Sequence, residues 1–360
     1  MTPTPPPGRP GLRDVARLAG VSHQTVSRVF KNHPMVSPQT RDRVLAAAAQ
    51  LDFRPNAAAR ALATGRSRTL GVVSFDTALF GPASIIAAIE RNARAADFFT
   101  SVASLESPGH GAVAGAVDRF RDQGVDGIIM IPGHVPPDEA LRHLPDDLPT
   151  VLLGPPASVP TVSADHYLAP REATRYLLEL GHRTVHHLPG PADWWEANER
   201  TRGWRDALVE AGAEVPDCAP GDWSARSGYE RGRVLAADPG VTAVFAANDQ
   251  IALGLLWAIH ESGRRVPADV SVIGFDDIPE AAFLTPPLTT VRQDFTALGR
   301  HCVELLIAQL TEAPRPAGTG RAAEAAGPVP SRLIVRRSTA PRRRGGAPGS
   351  GRGGALGRRP

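Results

Sequence analysis

GVSHQTVSRVF, residues 20–30, separates into two faces when it is placed on a helix. Val26, Val29 and Phe30 fall at i, i+3 and i+4 and can face a core. His23 with Ser27, and Gln24 with Arg28, form two polar rows at i, i+4 on the other side. The preceding stretch, LRDVARLAG (12–20), predicts a first helix with Leu12, Val15, Ala16 and Ala19 facing inward. Gly20 suits the left-handed turn that ends it, and Ser22 can cap the next helix by accepting an amide hydrogen bond. Small Ala16 and Ala19 let the two helices cross closely. A third helix is expected after Ser37 as cap and Pro38 at its first position, with Val44, Leu45, Ala48 and Leu51 turned inward. These signals together spell a helix-turn-helix.

The polar rows then have a use. A recognition helix in the major groove presents its N-terminal residues to base edges. Gln24 can pair bidentately with adenine and Arg28 with guanine, while His23 can reach an acceptor or a phosphate. Thr25 and Ser27 suit phosphate oxygens, which fix position without reading sequence. The plain alternative is a helical hairpin with a polar outer face, and charge weighs against it. Residues 1–68 hold 11 Lys and Arg against 3 Asp and Glu, and residues 331–360 hold 9 arginines and no acid. The net charge is +3, so residues 69–330 carry a balance of −14. Basic ends attract polyanions by releasing their counterions. For the C-terminal arginines a simple solvated tail remains an equal reading.

Bulk properties narrow the class. With 360 residues and a hydrophobic fraction of 42%, two or three domains with sizeable cores are expected. No apolar run approaches the roughly 20 residues of a membrane span. The N-terminal MTPTPPPGRPG has no hydrophobic signal segment, so a cytoplasmic protein is expected. Cys218 and Cys302 are too few for a disulfide framework or a four-ligand metal site.

From Thr69 onward, apolar strands alternate with helical patterns. LGVVSFD, VDGIIMIP, PTVLLG, TVHHLPG, VTAVFAAND and DVSVIGFDD read as strands. Helices are expected over 83–96, 171–180, 200–211 and 250–262. This rhythm implies parallel sheets covered on both faces, with ligands bound beyond the carboxyl ends of strands. The candidates are therefore Asn248 and Asp249 after VTAVFAA, Asp276 and Asp277 after VSVIGF, Gln293 and Asp294 after PPLTTVR, then Phe295, Arg200 and Trp223. Planar polar groups for adjacent hydroxyls and an aromatic face for C–H groups are what a sugar needs. Each residue also has an ordinary reading, as a helix cap or a core aromatic.

DVARLAGVSHQTVSRVF (14–30) and VSPQTRDRVLAAAAQLDFRPNAAARALATG (36–65) resemble the headpiece of the LacI/GalR family of bacterial transcription regulators. ANDQIALG, VIGFDD, PPLTTVRQDF and GDWSARSGYE extend the resemblance through the body. The fold it implies is an all-α helix-turn-helix headpiece followed by an α/β, two-lobed, periplasmic-binding-protein-like (type I) body. It implies specificity at His23 and Gln24 with Arg28 near the bases. A short hinge helix would then bring Asn56, Ala59 and Leu62 to DNA, with Leu62 as a wedge in the minor groove; the alternative is a linker with Leu62 packed on the body. By the same resemblance, Arg200, Asn248 and Asp276 would bind effector hydroxyls with Gln293 near them. Trp223 and Phe295 would form an apolar floor, and Leu79 and Pro82 the mouth of the apolar wall. Gly154 and Ala164 depart from the family pattern, which has an acidic group and an aromatic there. Trp194 and Trp195 are additional aromatics that could face a longer ligand.

The resulting organisation is a disordered start at 1–10, a DNA-binding domain at 11–55 and a hinge at 56–67. A dimerising effector domain at 68–340 and a disordered basic tail at 341–360 follow. The resemblance implies a homodimer on a pseudo-palindromic operator, released by a β-galactoside-like sugar or an oligosaccharide; a corepressor mode stays open. No cofactor, no metal and no membrane partner are expected. His186 and His187 are adjacent on a strand and point to opposite faces, so one ion cannot readily take both. Gly318, Gly320 and Ala323 match a dinucleotide fingerprint but lack a preceding strand. Enzyme activity is not expected: there is no nucleophile elbow, P-loop or zinc helix motif, and nothing in the spacing of Asp165 and Asp276 makes them a glycosidase pair. A transporter's solute-binding protein would explain the body and leave the headpiece idle.

Overall fold

The computed structural model describes residues 10–30, 33–53, 66–105, 110–133, 141–142, 144–145, 147–311 and 327–342. The chain divides into two units, Met1–Arg68 and Thr69–Pro360. In the first, α1 (Leu12–Ala19), α2 (His23–Phe30) and α3 (Pro38–Gln50) surround a core of Val15, Ala16, Ala19, Val26, Val29, Val44, Ala47 and Ala48. Gly20 ends α1 at φ 62°, and the Val21 amide donates back to the Ala16 carbonyl. Ser22 Oγ accepts from the Thr25 amide at 3.1 Å, and Ser37 Oγ from the Thr40 amide at 3.3 Å, so both expected caps are made. Leu12 and Leu45, expected inside, are exposed. Leu45 lies about 100° around the helix from Val44, and α3 buries Val44, Ala47 and Ala48 instead. Leu12 opens α1, ahead of the turn that packs. The hinge residues Asn56, Ala59 and Leu62 lie outside the described residues, as do most of the two expected disordered ends.

The second unit holds two five-stranded sheets. The first contains β1 (Thr69–Phe75), β2 (Phe99–Leu105), β3 (Gly127–Ile131), β4 (Thr150–Leu153) and β5 (Thr161–Val162), all parallel in the order β2-β1-β3-β4-β5. The second contains β6 (His186–Leu188), β7 (Ala243–Ala246), β8 (Ser271–Asp276), β9 (Thr289–Arg292) and β10 (Arg332–Ile334). Its order is β10-β9-β8-β7-β6, and only β10 is antiparallel. β1, β3, β4, β7 and β8 are buried almost throughout, as strands covered on both faces must be. The covering helices are α4 (Phe80–Ala95), α5 (His110–Gln123), α6 (Leu168–Glu179), α7 (Trp195–Glu210), α8 (Ala225–Ala237), α9 (Asp249–Glu261) and α10 (Phe295–Thr311).

The chain crosses between lobes three times. It leaves the first sheet after β5, and α6 packs in the core of the second. It returns after β9, so that Leu298, Cys302 and Leu306 of α10 enter the core of the first. It leaves again after Val329, which bridges to Ala164, to add β10. These crossings place Ala164, His166 and Gln293 between the lobes. α4 and α6 start about three residues earlier than the sequence suggested, because Pro82 and Pro170 fall in first turns where no amide donor is needed. β2 and α5 were not expected, nor was α8. β2 is a half-exposed edge strand rich in small residues, and α8 carries two glycines. Among the described residues no helix is long and apolar enough to cross a membrane.

Candidate functional site

All eight residues expected to meet an effector line one cleft: Leu79, Pro82, Arg200, Trp223, Asn248, Asp276, Gln293 and Phe295. Its apolar wall comes from the first lobe, where Leu79 opens α4 and Phe80 meets Phe295 edge-on with centroids 5.7 Å apart. The polar wall comes from the strand ends of the second lobe. Arg200, on the second turn of α7, is fully sunk there. Its guanidinium lies 3.9 Å over the Phe275 ring, donates to the Ala247 carbonyl and sits 3.7 Å from Asp276 Oδ1. Gln293 Nε2 donates to the same Oδ1 at 2.7 Å. Burial pushes the Asp276 carboxyl up to about 6, although Arg200 and Gln293 pull it down.

Asp276 and Asp277 hold φ values of 105° and 54°, conformations that side chains other than glycine rarely take. Asp277 is clamped by Arg292 and Arg336, so both strained residues are pinned by ion pairs. Asn248 proves to be both cap and lining. Its Oδ1 accepts from the Ile251 amide at 2.7 Å, and its Nδ2 donates to the Trp223 carbonyl at 3.1 Å. Trp223 itself packs against Gly190, where a Cβ would stand 2.5 Å from the ring. Trp194 and Trp195 also line the cleft, Trp194 meeting Trp223 edge-on at 5.5 Å.

Sequence reasoning missed three polar lining residues, His166, Glu196 and Gln250. His166 accepts from Arg200 at 3.4 Å through Nδ1, and burial followed by the Arg200 charge holds its pKa well below the usual imidazole range. Gln250 follows the cap. Glu196 sits one turn before Arg200, and burial raises its carboxyl. Glu196 Oε2 and Trp223 Nε1 are sealed from solvent and have no hydrogen-bond partner among the described residues. A buried unsatisfied polar atom costs about 1–3 kcal/mol. The i, i+4 spacing of Glu196 and Arg200 was the available signal. Three other carboxylates do structural work: Asp165 accepts the Tyr167 and Leu168 amides at the start of α6, Asp294 caps α10, and Asp277 holds the two arginines. Asp165 is therefore committed away from the cleft.

Asp249 is deeper still. Its oxygens accept from Thr290 Oγ1 at 2.6 Å and from the Ile278 amide at 2.8 Å, and burial raises its pKa to about 8. A carboxyl raised in the folded state stabilises fully below its unfolded value near 3.8, and the contribution is lost as pH rises through about 8. From pH 6 to pH 8 the wild type should lose on the order of 2 kcal/mol that Asp249→Asn does not lose. Urea midpoints of the two proteins at both pH values check this; parallel losses would refute it.

In the headpiece, His23, Gln24 and Arg28 are exposed on α2, with Thr25 and Ser27 half-buried beside them. Thr25 Oγ1 is tied to Ser22 Oγ at 2.9 Å. Arg41 of α3 reaches the Val29 and His33 carbonyls and so fixes the C-terminal end of α2. The polar row is thus presented on a helix braced at both ends. Of the three clustered histidines, His187 is stacked on Phe245 and donates from Nδ1 to the Phe245 carbonyl at 2.9 Å, while His182 bonds Thr242 and Ser271.

Comparison with known proteins extends these observations. Residues 11–56 match the bacterial regulatory proteins of the lacI family, and residues 174–339 match a periplasmic binding protein-like domain. The lactose operon repressor of Escherichia coli (strain K12) is 36% identical over 335 residues, covering 91% of this chain and 90% of that protein. A crystal structure of the lac repressor dimer bound to operator and the anti-inducer ONPF superimposes with a TM-score of 0.81 at 34% identity, covering 92% of this chain and all of that one. A complex of the transcriptional regulator CelR with cellobiose gives a TM-score of 0.66 at 33% identity, covering 92% and 100%.

Proposed function

The chain belongs to the LacI family of bacterial regulatory proteins, and from that premise we propose that it is a sugar-responsive, sequence-specific DNA-binding repressor of carbohydrate-utilisation genes. The observation that carries this reading is the pairing, in one chain, of an exposed polar recognition row with a buried Arg200–Asp276–Gln293 cluster facing an apolar wall. A cleft with planar polar groups on one side and aromatic rings on the other suits a β-galactoside-like glycoside or an oligosaccharide. His23, Gln24 and Arg28 read base edges, Thr25 and Ser27 hold phosphates, and Asn56, Ala59 and Leu62 serve the hinge.

The working unit is a homodimer on a pseudo-palindromic operator, in the cytoplasm where DNA and sugar meet. Large apolar side chains stand exposed on both lobes, Phe99 at 65%, Trp257 at 56% and Phe283 at 86%. The mechanism is a population shift. A sugar that contacts both cleft walls favours one arrangement of the three crossings, and release follows if that arrangement binds operator less well. No enzymatic role is proposed for the cleft: Asp165, the carboxylate that could have been paired with Asp276, accepts the Tyr167 and Leu168 amides and does not line it.

The test begins with duplexes selected by the protein from a randomised pool. The selected site should be two-fold symmetric. Fluorescence anisotropy of that duplex should then fall as one sugar of a panel, from galactosides to cello- and xylo-oligosaccharides, is added. A rise would identify a corepressor, and silence across the panel would remove the sugar reading while leaving the DNA reading in place.

A further inference from the structure

Four side-chain atoms are buried without a hydrogen-bond partner among the described residues, and two of them line the cleft: Glu196 Oε2 and Trp223 Nε1. The other two, on His186 and Arg231, lie elsewhere. The familiar polar groups of the cleft are already committed. Arg200 holds the Ala247 carbonyl and Asp276, Gln293 Nε2 holds Asp276, and both ends of the Asn248 amide are occupied. A ligand that engages those groups must share or displace existing bonds. At Glu196 and Trp223 it satisfies atoms that have nothing to lose.

We propose that Glu196 and the Trp223 indole N–H form the specificity pair of the cleft, selecting a neutral glycoside that donates a hydroxyl to Glu196 Oε2 and accepts from Trp223 Nε1. This rests on the effector reading above and narrows it. The pair offers one acceptor and one donor, and sugar hydroxyls and ether oxygens supply the complement to both. Charge sets the sign of the selection. The titratable groups lining the cleft are Arg200, Asp276, Glu196 and His166. His166 is held neutral by burial and by Arg200, so one cation stands against two carboxyls. A uronate or a phosphorylated sugar would bring a third anion to a site whose only cation is already paired. The acceptor role and the charge balance both describe Glu196 ionised, the form that a hydroxyl donated to Oε2 favours against the burial that raises its carboxyl. The opposite wall leaves room, since Gly133, Gly154 and Ala164 bring almost no side chain to it.

Isothermal calorimetry on the full-length dimer tests the pair with lactose, cellobiose, galactose, glucose and glucuronate as probes. The neutral sugar that wild type binds should lose about 10- to 100-fold in affinity in Glu196→Ala. It should stay within about threefold in Glu196→Gln, which keeps an acceptor oxygen. Trp223→Phe keeps an aromatic face, loses the donor and should fall about tenfold. The ratio of glucuronate to neutral-sugar affinity should rise at least tenfold in Glu196→Gln, a change that loosened packing alone would not produce. Binding by Glu196→Ala within threefold of wild type, or an unchanged glucuronate ratio in Glu196→Gln, overturns the specificity pair and leaves the effector reading standing. If wild type binds none of the neutral sugars, both fall together. Thermal unfolding confirms that each variant folds, and Glu196→Gln decides the matter should Glu196→Ala not.

Discussion

Asp276→Ala is expected to weaken sugar binding by at least about 100-fold and to keep the protein on its operator at sugar concentrations that release the wild type. Three contributions add in one direction. A hydrogen bond from a hydroxyl to a buried carboxylate is worth about 1.5–3 kcal/mol, and 1.4 kcal/mol is tenfold in affinity. The carboxylate also orients its neighbours, since Arg200 lies 3.7 Å from it and Gln293 donates to it at 2.7 Å. Alanine removes the acceptor that Gln293 Nε2 holds and one of the contacts around Arg200. The Arg200 guanidinium stays fixed by the Ala247 carbonyl and the Phe275 ring, so the fold keeps a partner for the buried cation. The effect should therefore appear in ligand affinity more than in stability.

The same carboxyl gives the binding a pH dependence of known sign. Its folded pKa is raised to about 6 by burial, and hydroxyl donors favour the ionised form. Affinity should be full above pH 7 and fall about tenfold by pH 5 as Asp276 protonates. Asp276→Asn should be weak and flat over that range. Calorimetric titrations at pH 7.5 and pH 5 decide it: an alanine variant within threefold of wild type, or a wild type insensitive to pH, would mean that the effector does not meet this carboxyl.

How much of this was legible in the residues depends on the range of the signal. The headpiece is written in local chemistry. Ser22, Gly20, Ser37 and Pro38 each act within a turn of themselves, and each does in the structure what its type suggests. Strong apolar strands such as GIIMI announce themselves because both faces are buried. β2 did not, because an edge strand of small residues has no second buried face to mark it. The cleft was legible at strand ends, where topology alone puts ligands. It was illegible where it depends on long-range approach. His166 enters through a lobe crossing, and Glu196 through a helix whose start at Trp195 was not marked by a cap. Asn248 shows why type alone could not separate a cap from a ligand contact, since one amide does the first and lines the space for the second.

The approach of α8 to α9 supports the second large prediction, and here two identical substitutions should act in opposite directions. Gly254 of α9 faces the backbone of α8 so closely that a Cβ would stand 1.9 Å from the Ala225 carbonyl oxygen and 2.5 Å from the Tyr229 nitrogen. Gly228 makes the reciprocal contact, 2.2 Å from the Ile251 carbonyl oxygen. These are backbone atoms in two packed helices, so no side chain can swing aside and the helices must part. Gly254→Ala should therefore cost about 3 kcal/mol, the upper end of overpacking, despite the better helix propensity of alanine. Gly115 of α5 has nothing within 4 Å of its would-be Cβ. Gly115→Ala should gain up to about 1 kcal/mol from propensity alone. Urea unfolding of the two variants beside wild type reads both signs at once, and equal midpoints would refute the close approach. A functional signature should accompany the first. α9 begins at the residue after Asn248, and the loop before α8 carries Trp223, whose carbonyl receives the Asn248 amide at 3.1 Å. Prising the helices apart stretches that bond, so Gly254→Ala should bind sugar less tightly even where it remains folded, whereas Gly115→Ala should not.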